Sequence, residues 1–230
     1  MSVENQSSLS RADRTPPAPA DVVDPTAGHA ALSRGLASEQ VNMIADPGPL
    51  GLAAFALTTF VLSLLNAGVL PADTEPVVLG LALAYGGVAQ LLAGMWEFKK
   101  GNVFGATAFA SFGAFWISFW AYVTFYAESI PAAHHGAAAG WFLVAWGIFT
   151  ALMFLGSLRT TRGLAVLFAV LAITFFLLAF GALGAMTGLT RIGGVTGILT
   201  ALTAWYLAVA GVLASTFGRP ILPNRPLGRH

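Results

Sequence analysis

Hydrophobic positions in this chain come in long unbroken runs, not in the one-faced or alternating patterns of a water-soluble domain. Six uncharged stretches stand out, at residues 50–70, 77–96, 103–127, 137–158, 163–186 and 193–217. Each has about the ~20 residues that carry a helix across ~30 Å of hydrocarbon. Lipid offers no water to bare backbone N–H and C=O groups, so each run is expected to close its own hydrogen bonds as a helix. A β-barrel would show shorter, alternating segments. Pro71, the Lys99-Lys100-Gly101-Asn102 stretch and Pro131 punctuate the first three runs. The fold class is therefore all-α: a polytopic membrane protein with a six-transmembrane-helix bundle over residues 46–218.

Composition supports this reading. The chain is 57% hydrophobic and 9% charged, against roughly 25% charged in soluble domains. Between Leu50 and Phe217 the only charges are Asp73, Glu75, Glu97, Lys99, Lys100, Glu128, Arg159, Arg162 and Arg191, and they fall between the runs or at their ends. With the N-terminus in the cytoplasm, Arg11, Arg14, Arg34, Lys99, Lys100, Arg159, Arg162, Arg219, Arg225 and Arg229 lie inside and Arg191 alone lies outside. That bias predicts both termini cytoplasmic and a multi-pass protein of the inner (plasma) membrane. Trp96, Tyr122, Tyr126 and Trp141 fall where interfacial anchors are expected.

The ends differ from the middle. Residues 1–45 hold Pro16, Pro17, Pro19 and Pro25 among Ser, Ala and mixed charges, which suits a disordered cytoplasmic tail. No apolar stretch precedes a small-residue cleavage site, so a secretory signal peptide is not expected. Residues 30–44 carry a pattern that fits a short surface helix equally well. Residues 219–230 form a short cytoplasmic C-terminal tail.

Polar residues recur inside the spans at helical spacing. Phe55, Thr59, Ser63 and Asn66 share one face of the first span. Thr107, Ser111 and Ser118 lie in the third span, Thr196, Thr200 and Thr203 in the sixth, and Gln90 stands alone in the second. Such faces can line a path of neutral hydrogen-bond partners for a small solute. Ser and Thr also bond their own i−4 carbonyl or join helices, so packing explains the same pattern. Asn66 and Gln90 are harder to satisfy locally. Small residues at Gly80-x-x-x-Ala84, Gly86-Gly87, Gly94 and Gly193-Gly194 allow close helix contact.

Reactive chemistry is scarce. The absence of cysteine removes disulfides, thiolate metal centres and thiol nucleophiles. His134 and His135 are adjacent without a carboxylate partner, a poor metal set. Glu97 precedes Lys100 by three residues, a spacing for an ion pair at a helix end. No nucleophile–base pair or phosphate loop is present. No enzyme activity, catalytic residue, cofactor or metal is expected, and a net charge of +1 without a basic stripe points away from nucleic acid.

Two stretches go beyond composition. Asp46-Pro47-Gly48-Pro49-Leu50-Gly51-Leu52 opens the first span. Tyr85-Gly86-Gly87-Val88-Ala89-Gln90 continues through Glu97-Phe98-Lys99-Lys100-Gly101-Asn102 and Phe104-Gly105-x-Thr107-Ala108-Phe109-x-Ser111-Phe112-Gly113. With Trp146-Gly147-x-Phe149-Thr150 and Phe217-Gly218-Arg219-x-Ile221-Leu222-Pro223, they resemble the acetate uptake transporter family, which includes the bacterial succinate–acetate permease. The resemblance implies six helices, a homo-hexamer in membrane lipid, and a pore within each protomer for acetate, succinate or similar carboxylates, proton-linked or channel-like. It places a hydrophobic constriction on Phe55, Phe112 and Leu171, the middle position being commonly tyrosine in relatives, and a substrate-size position on Ala204. The opening motif, Asp46, Pro47, Pro49, Leu50 and Gly51, departs from the usual Asn-Pro-Ala-Pro at its first and third residues. Asp46 is expected to act as an N-cap before prolines in the first turn. A membrane scaffold or signalling subunit, or a channel for ammonium or water, remains compatible with the polar faces alone.

Overall fold

The computed structural model describes residues 28–30, 32–34 and 44–227. Residues 28–30 and 32–34 are helical; residues 1–27, 31 and 35–43 of the expected N-terminal tail, with most of the candidate surface helix at 30–44, lie outside the described residues. From Ile44 onward the chain is one unit.

Six helices long and apolar enough to cross a membrane follow among the described residues: α1 (Gly48–Asn66), α2 (Ala72–Lys100), α3 (Val103–Ser129), α4 (Ala132–Ser157), α5 (Arg162–Leu183) and α6 (Thr187–Phe217). They match the six apolar runs in order, with shifted ends. The largest shift is in α6, which starts at Thr187, six residues before the sixth run. A single left-handed residue, Ala185 (φ 51°), turns the chain, so Arg191 lies within the helix instead of in a loop. The α2–α3 connection is as tight: Gly101 (φ 78°) ends α2, and Asn102 caps α3 by accepting from the Gly105 N–H at 3.1 Å.

Around the bundle, α1 packs against α6, α6 against α5, α5 against α4, and α2 lies between α1 and α3. Close backbone approach joins α2 to α3. A Cβ at Gly113 would stand 2.7 Å from the Leu91 nitrogen and 2.9 Å from the Gly87 oxygen, so only glycine fits there. The α3–α4 side is wider and is filled by rings. Phe115 meets Phe142 and Trp146 at centroid distances of 5.7 and 5.2 Å, and Phe112 meets Phe149 at 5.7 Å. α4 has the least buried span, and its Trp141, Ile148, Leu152 and Leu155 turn outward.

Within α2, residues Ala84–Ala89 widen into a π-helical turn. Gly86 rests there on Thr58 of α1. The extra residue per turn re-phases the helix, and the turn hands on to Gln90, which is buried and faces the centre of the bundle.

The end that gathers the basic residues is closed differently from expectation. Past Gly218 the chain does not run free. The Arg162 N–H donates to the Arg225 carbonyl (3.0 Å), the Leu227 N–H to Thr160 (3.0 Å), and the Tyr206 hydroxyl to Pro223 (2.7 Å). The C-terminal segment is strapped to the α4–α5 turn.

Candidate functional site: a two-chambered cavity through the bundle

The bundle encloses a cavity of about 370 Å³ at its basic end. Its walls come from every helix but α4, and from the C-terminal strap through Pro220, Leu222 and Asn224. Most of the surface is apolar: Leu52, Ala108, Phe109, Leu167 and Phe168 among others. Polar groups sit at Gln90 and around the mouth, where Asp46, Glu97, Lys100 and Asn102 converge.

At its inner end the cavity meets Phe55, Phe112 and Leu171. All three are buried, and the Phe55 and Phe112 rings meet edge-to-face at 5.7 Å. Phe112 is held in turn by Phe168 and Phe175. Beyond lies a second cavity of about 40 Å³, also lined by Phe55 and Leu171, and by Thr59, Ser63, Asn66, Trp116 and Thr174. Phe55 and Leu171 thus form a wall shared by two chambers. The helical face Phe55–Thr59–Ser63–Asn66 runs along the second one.

Polar satisfaction sets these chambers apart. Among the described residues, three buried side-chain polar atoms lack a hydrogen-bond partner: Gln90 Oε1, Thr59 Oγ1 and Trp116 Nε1. Gln90 lines the large cavity; Thr59 and Trp116 line the small one. Unpaired buried polar groups cost about 1–3 kcal/mol each, so their gathering at the cavity walls marks a place where water or a solute completes the bonding.

The remaining sequence candidates divide. Thr107 and Ser111 are half-buried and line neither chamber. Ala204 is buried in the apolar cluster that includes Phe55, Leu171 and Leu207, and it lines neither chamber. Thr174 lies 2.9 Å from Thr196 and 3.5 Å from Thr200, hydroxyl to hydroxyl, so that trio bonds α5 to α6.

In the opening motif, Pro47 occupies the cap position of α1, and Asp46 caps from one residue earlier: its Oδ1 accepts from the Gly48 N–H at 3.0 Å. Two prolines force this offset, since Pro47 and Pro49 have no N–H to offer. Pro49 lines the cavity, Gly51 packs under Phe109, and Leu50 turns outward.

One expectation is corrected. Lys100 pairs with Asp46, Nζ to Oδ1 at 2.8 Å, and not with Glu97. Glu97 points inward and is 1% exposed, and its Oε2 accepts from the Asn102 amide at 2.9 Å. Helical spacing allowed the Glu97–Lys100 pair, but the α1 opening brings a competing carboxylate from 54 residues earlier in the chain to the same lysine.

The comparisons with known proteins agree with this architecture. The family model described as the GPR1/FUN34/yaaH family matches residues 29–227. The succinate-acetate/proton symporter SatP of Escherichia coli (strain K12) is 39% identical over 180 residues, covering 78% of this chain and 95% of that one. Ammonia transport outward protein 2 of Saccharomyces cerevisiae is 43% identical over 186 residues, 79% of this chain and 66% of the relative. A solved structure, that of the bacterial acetate channel SatP, superposes with a TM-score of 0.73 at 39% identity, over 78% of this chain and 98% of the other. This six-helix membrane protein belongs to the GPR1/FUN34/yaaH family.

Proposed function

We propose that the chain carries acetate, and with it succinate or other short carboxylates, across the plasma membrane, together with protons, by a path inside each protomer of a homo-hexamer. The basic end faces the cytoplasm in this reading. The observation that carries it is the pair of chambers meeting at Phe55, Phe112 and Leu171, with unpartnered polar atoms on both sides of the wall. The names of the bacterial relative and of the solved structure supply the solute. A chamber of about 370 Å³ is roomy for a short acid. The tight wall passes a solute only after it sheds its water, which a small acid with a methyl end does at least cost. Ala204, in the same buried cluster as Leu171, sets how far that wall can yield.

The Trp116 indole N–H can donate to a carboxylate oxygen, and Gln90 Oε1 can accept from a protonated carboxyl, so the orphan atoms suit a short acid, which both accepts and donates. The yeast relative's name makes ammonia the second reading. Purified protein in liposomes separates them: uptake of radiolabelled acetate above that of empty vesicles is expected, with ammonia flux at the empty-vesicle level. Ammonia flux without acetate uptake would reverse the assignment.

A further inference from the structure

The large cavity, taken as the path of an anion, has the wrong charge. Its lining residues include three that ionise, Asp46, Glu97 and Lys100. Asp46 and Lys100 neutralise one another at 2.8 Å. Glu97 is left as the net −1 of the chamber. Lys100 and Asp46 both act on it, with opposite signs, and the remaining residues that line the chamber, Asn102 and Gly105 of α3 among them, are uncharged. Asn102 holds Oε2 at 2.9 Å. Oε1 lies between two glycines, 3.1 Å from where a Cβ of Gly105 would be and 3.6 Å from that of Gly48. The missing side chains leave that oxygen room for a proton and a partner.

A second carboxylate entering this largely apolar space meets an uncompensated like charge. Two carboxylates sharing such a site hold one proton between them. We propose that Glu97 carries the proton that accompanies each carboxylate through the cavity. This rests on the carboxylate reading above. The like charge bars the bare anion, so the solute arrives across the wall as the neutral acid; in the chamber its O–H bond breaks as an O–H bond forms at the Glu97 carboxylate. When the solute leaves at the basic end, that O–H bond breaks, the proton passes to water at the mouth, and Glu97 returns to its ionised state on Asn102. One monocarboxylate and one proton cross together, with no net charge moved.

The test is electrical. Liposomes holding the purified protein are given a tenfold potassium gradient clamped with valinomycin, and the initial rate of radiolabelled acetate uptake is compared with the potential in each direction. The wild-type rate should be indifferent to the potential. In Glu97→Gln the chamber is permanently neutral and acetate crosses without its proton. Its uptake should then follow the potential, with its equilibrium distribution shifting about tenfold for one charge. Equal indifference in both proteins, or a potential-dependent wild type, overturns the proposal. Absence of acetate uptake in wild type sinks the carboxylate reading itself, a different result. A second measurement covers a variant that fails to insert. Wild-type protein treated with dicyclohexylcarbodiimide, which attacks protonated carboxyls in apolar surroundings, should be labelled at Glu97, with acetate raising the adduct as it brings the proton to Glu97. No Glu97 adduct, or one indifferent to acetate, overturns the proposal.

Discussion

Phe55→Ala probes the wall between the chambers. The ring is 4% exposed and meets Phe112 edge-to-face at 5.7 Å. For a solute to pass, that pair must part, which costs about 0.5–1.5 kcal/mol beyond simple area. Deleting the ring removes that cost from the barrier. At 1.36 kcal/mol per decade, acetate uptake should rise about 2- to 12-fold. Size discrimination should fall at the same time, because the 370 and 40 Å³ spaces merge. Burying less ring costs stability, at or below the low end of the 3–5 kcal/mol typical of Phe→Ala, since much of the void already exists. The assay is uptake of radiolabelled acetate and butyrate into liposomes, at equal protein and with a detergent melting curve as a folding control. Folded Phe55→Ala with an unchanged acetate rate and an unchanged ratio of butyrate to acetate uptake would refute the wall as the rate-setting element.

Three further substitutions probe separate parts of the structure. Asn102→Ala removes both the α3 cap and the partner of Glu97; a loss of about 2–4 kcal/mol is expected from the cap and the orphaned carboxylate together, read as a lower melting temperature. Trp116→Phe deletes a buried N–H that has no partner, so stability should hold or rise while acetate uptake falls; unchanged uptake would make Trp116 a packing residue only. Gly113→Val drives a side chain into the Leu91 backbone, and α2 and α3 must separate, so folded yield should collapse; near wild-type yield would contradict the close approach.

The membrane spans were legible because they depend on a coarse quantity, the distance between charges. Helical periodicity put Phe55, Thr59, Ser63 and Asn66 on one face, and the structure sets that face along the small cavity. Glu97 was misread for a physical reason. Local spacing offered Lys100, and only the folded chain shows that Asp46 reaches that lysine first. The strap was missed because Pro220, Leu222 and Asn224 look like the start of a free tail. A usable signal was present in Ile221 and Leu222, apolar residues just past a helix that ends on Gly218. Thr107 and Ser111 show the reverse error: polar residues within a span need not line either cavity.

Leu171 offers the most direct test, because the chain has no cysteine of its own and one can be placed there alone. Leu171→Cys, on the wall shared by both chambers, should keep measurable acetate uptake, lose it on treatment with a small methanethiosulfonate reagent, and be protected by saturating acetate. Complete modification of the cysteine with uptake unchanged would contradict a carboxylate path through the centre of the bundle.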